Sequence, residues 1–365
     1  MITMKKIFFF VLSIAIITSC EKEDQKISEK ELLDFAFKKT NNSSLIFDVT
    51  GNINGNTVTV SVLNNTNLKE LKATFNSSPK STVKIGNIIQ KSGSTPNDFT
   101  NPITYKIYAE DGSVADYKII VTKLEIKNFV EPLVKSKWMV YTYPYNASYP
   151  ALNGGINGRV GNACGPTALA KIFHYLKYPV NGNGIIDYYE SSSVRWQCDL
   201  STLNLNYSNM PNELDGTAVE AEYKEVAKLF LATGSVGHYL DIGNRDCTPK
   251  FVAGIAKYFK LDQNLKLINR WELTKNEWEC ILKSELSEGR PIMVAGRTKT
   301  SPAPWENGNS DGHWYILDGY NQEGKFHVQY NFYKNGVPLE GYYDSDNLGE
   351  IYTAYNQAII GFKSN

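Results

Sequence analysis

Residues 162–179 read NACGPTALAKIFHYLKYP, and the fold of the larger part of the chain turns on them. Behind Cys164, Gly165 and Pro166, apolar residues recur at helical spacing: Leu169, Ile172, Phe173 and Leu176. Proline is accepted in the first turn of a helix, where its missing N–H would have had no partner. Cys164 is therefore predicted at a helix N-terminus, where free N–H groups and the helix dipole favour a thiolate. Far along the chain, DGHWYILDGY (311–320) sets His313 at the head of a strand-like run. A solitary cysteine and a distant histidine form the pattern that cysteine-dependent acyl transfer uses, because the two must be neighbours in space and not in sequence.

Around that helix, residues 128–365 read as an α+β domain. Further helices are predicted over 220–233 (Tyr223, Val226, Phe230), 250–259 and 275–287, and strands over 291–296, 313–318 and 325–332. Helices first and strands later imply segregated layers and not a parallel βαβ sheet. Residues 44–124 change to period two, as in TVTVSV (57–62), TVKI (82–85), TYKIY (104–108) and YKIIV (117–121), with Asn/Gly/Asp turns between. This predicts a small antiparallel β-sandwich. The phrase ITYKIYAEDGSVADYKIIVTK (103–123) resembles immunoglobulin-like modules of bacterial surface lipoproteins. No titratable constellation lies in it, so a spacer or adhesive role is expected.

Residues 1–19 read as a targeting segment: Lys5 and Lys6 precede an apolar run from Ile7 to Ile17 that is too short to span a bilayer. The run ends Ile17-Thr18-Ser19-Cys20, which resembles a lipobox with Cys20 as the lipidated residue. Glu21-Lys22-Glu23-Asp24 follows and resembles a surface-export signal of some Gram-negative lipoproteins. Residues 20–43 are expected to be a polar tether, with one short helical stretch near Glu31–Phe37. Together these predict an exported outer-membrane lipoprotein displayed at the cell surface through its lipid anchor.

At 365 residues the chain has room for two domains. Lys plus Arg and Asp plus Glu balance at 38 each, which gives no electrostatic case for nucleic acid. The cysteines form no C-x-x-C pair, so neither a metal site nor a cofactor is expected. Export permits a disulfide, for which Cys198 and Cys247 are candidates. Cys280 falls in an amphipathic helix pattern with Trp278, Ile281, Leu282 and Leu286 and is expected to be a buried small residue.

With these residues in place, the second domain resembles the streptopain family of papain-like cysteine peptidases. The blocks that carry the resemblance are WMVYTYPYN (138–146), the Cys164 segment, VAKLFLATGSVGHYLDIGN (226–244), residues 259–296 and DGHWYILDGYNQEGKFHV (311–328). The CGPT run also resembles bacteriocin-processing-type cysteine peptidases. The resemblance implies helices packed on an antiparallel sheet, Cys164 as nucleophile, His313 as general base and acid, and protein or peptide substrates. Family members usually carry a prosegment that masks the active site, and residues 44–123 do not resemble one.

Two departures from the family pattern stand out. The family places a glutamine in the segment matching VYTYPYN to form the oxyanion hole, whereas this chain has Tyr141 or Thr142 there, with Asn162 a further candidate donor. After His327-Val328 the family reads Asn-Trp-Gly-Trp-Gly, with the asparagine orienting the histidine. This chain reads Gln329-Tyr330-Asn331-Phe332-Tyr333, making Gln329 the orienting candidate and Asn331 the fallback. These departures keep open a catalytically impaired scaffold that binds peptides or a proteinaceous inhibitor, and the β module keeps open a surface adhesin. Among other residues, His174 is expected to be an ordinary helix residue, His238 a cleft-wall or loop residue, and His327 a neighbour of Gln329. Asp318 lies on the strand face opposite His313 and is not expected to be its acid. Thr300–Asp311, with Trp305, reads as a flap over the cleft.

Overall fold

The computed structural model describes residues 26–215, 217–240, 249–261, 265–298, 312–334, 337–349 and 351–363. The targeting segment, Cys20 with the charged run behind it, Cys247 and the flap residues 300–311 lie outside the described residues.

The N-terminal module is all-β. One sheet has four strands in the order 49–50, 32–37, 71–77, 96–97, and the other has six in the order 52–54, 57–63, 114–124, 103–108, 82–85, 88–89. Inward residues alternate along Thr57–Val62, Leu71–Phe75 and Ile103–Tyr108, and the core centres on Phe35, Phe37, Phe99 and Tyr105 packed edge to face. Two readings need correction. Leu32–Phe37 is a strand of this module and neither tether nor helix: its backbone pairs with Leu71–Ser77, and its apolar residues enter the module core. The sandwich is also not wholly antiparallel, because Thr57–Leu63 and Val114–Leu124 run parallel over seven paired residues. Segment 71–77, with its clear alternation, was missed as a strand.

The second domain is α+β. Its helices are α1 (Cys164–Leu176), α2 (Glu220–Tyr239), α3 (Pro249–Phe259) and α4 (Lys275–Ser287). Its main sheet is antiparallel throughout, in the order 266–269, 354–360, 292–297, 312–320, 326–334, 337–343. Alternation along Ile292–Arg297 shows how the layers form. Met293 and Ala295 face α1 and α2, joining Trp138, Leu169, Phe173 and Phe230 in one core. Ile292 and Val294 face α4, joining Trp278, Leu282 and Leu286 in the other. α4 starts where its sequence dictates: Thr274 caps it, and Glu277 reaches back to the Thr274 N–H at 2.8 Å. α2 runs six residues beyond the predicted end at 233, so His238 is in a helix and not a loop.

The module docks on one end of this sheet. Phe47 and Ile126 pack against the α4-side core, and Lys39 pairs with Glu277 of α4. The linker is held by Lys127 N–H to Ser287 Oγ (3.1 Å) and by a backbone bridge between Val130 and Tyr320. Tyr320 is the last residue of strand Gly312–Tyr320, and His313 lies at its start. The linker bridge at Tyr320 and His313 are therefore about a strand length apart, roughly 20–25 Å at the usual rise per residue.

Candidate active site

Cys164 is the first residue of α1. No side chain caps this end, and Thr167 closes the first turn by donating both N–H and Oγ1 to the Ala163 carbonyl. The first N–H groups are thus left free around the thiol. α1 lies on strand Gly312–Tyr320, which brings His313 to Cys164. Burial pushes the thiol pKa up. The charge of His313, a hydrogen bond from its ring, and the N–H groups of Trp314 and Gly165 outweigh that and hold it below its ordinary value.

The other ring nitrogen of His313 fixes the orientation. Nε2 lies 2.5 Å from the main-chain carbonyl of Tyr330. A carbonyl only accepts, so Nε2 carries the proton and Nδ1 is left for the thiol. The ring is covered by Tyr352, stacked at 5.0 Å and 25°, and by Phe332, edge-on at 5.1 Å.

Gln329 and Asn331 do not orient the histidine. Both carboxamides face α1, where Lys171 Nζ donates to Gln329 Oε1 (2.7 Å) and to Asn331 Oδ1 (2.8 Å). Gln329 Nε2 donates to Asp318 Oδ2 and to the Val134 carbonyl, each at 2.8 Å. Strand alternation explains this: 329 and 331 share one face, while the histidine meets the backbone between them. Asn331 has φ +63°, and the strand pairing is irregular there. Asparagine is among the few non-glycine residues that accept this left-handed conformation. It stands where the family pattern has its first glycine.

The oxyanion candidates divide in the same way. Asn162 is fully buried and fully engaged: Nδ2 donates to the Met139 carbonyl (2.6 Å), and Oδ1 accepts from Thr142 N–H (3.0 Å). It is a clamp between the 139–142 segment and the nucleophile segment. The Thr142 hydroxyl donates to the Val140 carbonyl at 2.8 Å. Tyr141 is different. It is exposed, has φ +50°, and its ring lies over Gly161. Although its side chain is largely exposed, partial desolvation raises its phenol pKa, and the charge of Cys164 raises it further.

The remaining residues have structural partners. Asp318, fully buried, accepts from His327 Nδ1 (2.7 Å) and Val134 N–H (2.9 Å) and does not bond His313. His174 bonds Ser136 Oγ and the Met210 carbonyl. His238 stacks on Trp196 and bonds Glu190. Cys198 is a free, buried thiol, and Cys280 is a free, partly buried one. Sequence reasoning missed Lys171, Tyr352 and the Tyr330 carbonyl. Lys171 had a signal: seven residues after Cys164, it lies on the same helical face. The other two had none.

Residues 138–343 match the peptidase C10 family, and residues 38–121 match a family described as SGBP, N-terminal. The first match spans more than half of the chain: this is a member of the peptidase C10 family, with the fold and the cysteine-peptidase class that the resemblance to streptopain implied. Among similar proteins, the thiol protease/hemagglutinin PrtT of Porphyromonas gingivalis is 26% identical over 53% of this chain and 22% of its own length. Streptopain of Streptococcus pyogenes serotype M1 is 22% identical over 66% of this chain and 64% of its own. The chain thus spans less than two thirds of either relative. Among solved structures, the active interpain A cysteine protease of Prevotella intermedia superposes with a TM-score of 0.54 at 27% identity, covering 65% of this chain and 96% of that one.

Proposed function

We propose that the second domain hydrolyses peptide bonds in protein substrates by thioester catalysis, with Cys164 as nucleophile and His313 as base and acid. The observation that carries this reading is the Cys164–His313 contact with a thiol pKa held below normal despite burial. The thiolate attacks the scissile carbonyl, and the carbonyl π electrons move onto oxygen. That oxyanion meets the N–H groups at the start of α1 and the Tyr141 hydroxyl. As the C–N bond breaks, His313 Nδ1–H passes its proton to the leaving amine. Water then gives a proton to Nδ1 and attacks the thioester, and the C–S bond breaks to return the thiolate. The Tyr330 carbonyl keeps the imidazole in the required tautomer throughout.

The β module is proposed as a spacer that holds the peptidase away from a membrane to which Cys20 is lipid-anchored. It packs against the α4-side core, whereas Cys164 packs with the core on the other face of the sheet, which supports spacing over masking. The test is cleavage of denatured casein by the reduced full chain, beside Cys164→Ala. Hydrolysis that the variant lacks is the expected result. A folded, reduced wild type that leaves casein intact would defeat the proposal.

A further inference from the structure

We infer that Lys171 is a positioning residue of the active site, holding in place, through Gln329 and Asn331, the main-chain carbonyl that orients His313; this deepens the peptidase reading and rests on it. Lys171 follows Cys164 by two helical turns, about 10 Å along the axis, and at seven residues it returns to almost the same face. The stripe of α1 that presents the thiol to His313 therefore presents an ammonium to strand Phe326–Lys334. Lys171 is 1% exposed, yet its Nζ has well-formed contacts at 2.7 and 2.8 Å. Its acceptors are the two residues that flank Tyr330, whose carbonyl receives His313 Nε2.

Both acceptors are also tied elsewhere, although the Asn331 Nδ2 itself has no partner among the described residues. Asn331 holds a left-handed backbone, and its own carbonyl accepts from Val140 N–H, next to Tyr141. Gln329 is anchored at its far side by Asp318 and the Val134 carbonyl. One side chain of the nucleophile helix thus ties down both neighbours of the orienting carbonyl and the segment that carries Tyr141. A buried lysine is costly. A core that needed only filling would take Leu or Met at this position. Carboxylates surround the site without touching Nζ: Asp318 beyond Gln329, and Glu340 on the neighbouring strand, both of which favour the charged form.

The experiment uses the full chain with Lys171→Met, Lys171→Gln and Asn331→Gly. Two readouts are taken: kcat and KM on fluorescein-labelled casein, and the rate of Cys164 alkylation by iodoacetamide against pH. Lys171→Met is expected to lower kcat tenfold or more while KM stays within about threefold, because misplacement near 1 Å costs up to about 100-fold in rate. The midpoint of its alkylation profile moves up by about one pH unit. Lys171→Gln returns a neutral N–H donor and restores most of both. A folded Lys171→Met with reduced thermal stability but wild-type kcat and alkylation profile would reduce the lysine to core filler and overturn the inference. Should Lys171→Met not fold, Asn331→Gly decides the matter. It removes one acceptor while keeping the left-handed backbone, so a smaller upward shift supports the role and an unchanged profile overturns it. A wild-type Cys164 that alkylates as an ordinary thiol would take down the peptidase reading itself, and this inference with it. An activated wild type with indifferent variants would take down only the lysine's role.

Discussion

His313 donates from Nε2 to the main-chain carbonyl of Tyr330 at 2.5 Å, so the group that orients its imidazole is backbone and not a carboxamide side chain. A backbone acceptor cannot be lost by a single substitution; it can only be displaced. This explains how the chain keeps a family site with glutamine at the position that the family fills with asparagine. Gln329 is free to serve another partner, Lys171, on the other face of its strand.

The first prediction concerns the thiol. The largest influence on it is burial, which raises its pKa, and His313 supplies the main opposing effects. His313→Ala removes the charge and the ring hydrogen bond and leaves the burial. The alkylation midpoint of Cys164 is therefore expected to rise to or above that of a free thiol, about 8.5. An unchanged midpoint would show that the helix terminus alone activates the cysteine.

A second prediction separates the oxyanion candidates. Tyr141→Phe removes the candidate hydroxyl that the Cys164 charge influences, and kcat should fall by about 10- to 100-fold with little change in KM; a full oxyanion donor is worth about 100- to 1000-fold. Thr142→Val removes a hydroxyl that bonds the Val140 carbonyl, so its effect on kcat should stay within about threefold. Steady-state kinetics on one peptide substrate compares the two directly, and the reverse order would reassign the hole to Thr142.

A third prediction follows from Lys171. Burial lowers its pKa to about 8 from an ordinary value of 10.5, against the pull of Asp318 and Glu340. Between these values the unfolded chain binds a proton that the folded chain has released. Stability should therefore rise with pH across about 8 to 10, by at most about 1.4 kcal/mol per pH unit from this group. Below about pH 8 both states are protonated, and the contribution is flat. Urea unfolding of wild type and Lys171→Met at several pH values isolates the term, because tyrosine titration near pH 10 is common to both. Parallel curves would mean that the lysine titrates normally in the fold.

Much of this was legible from the sequence. The Pro166 position and the helical spacing behind Cys164 predicted α1, and apolar spacing placed α4 over 275–287. Alternation put Asp318 on the face away from His313, where it accepts from His327 and Gln329. Alternation cannot say which face a helix will cover, and it is silent about carbonyls, so the orienting contact was assigned to the wrong atoms. Leu32–Phe37 was misread because six residues fit either period, and only pairing with Leu71–Ser77 decides between them. Strand Ala354–Ile360 lies between 266–269 and 292–297 in the sheet, a placement set by long-range pairing and carried by no local motif.

The last prediction concerns the module. Glu277 receives the Lys39 ammonium first of all, then the Thr274 hydroxyl and N–H, and these contacts lower its pKa to about 2. A depressed carboxylate contributes stability that is present above its unfolded value, near 4.5, and is lost as pH falls toward 2. Part of that contribution belongs to the helix cap and part to docking. Lys39→Met removes the docking part alone and leaves Thr274 to Glu277 intact. It should loosen the module without unfolding α4, which limited proteolysis of the 124–128 linker would report as faster cleavage at pH 7. Because Lys39 is about half exposed, the effect should be modest and should shrink in high salt. Casein hydrolysis should be unaffected in the same variant, since the module packs on the α4 side of the sheet and Cys164 on the other. Increased hydrolysis on loosening would instead make the module a restraint on the site, and the spacer role would have to be abandoned.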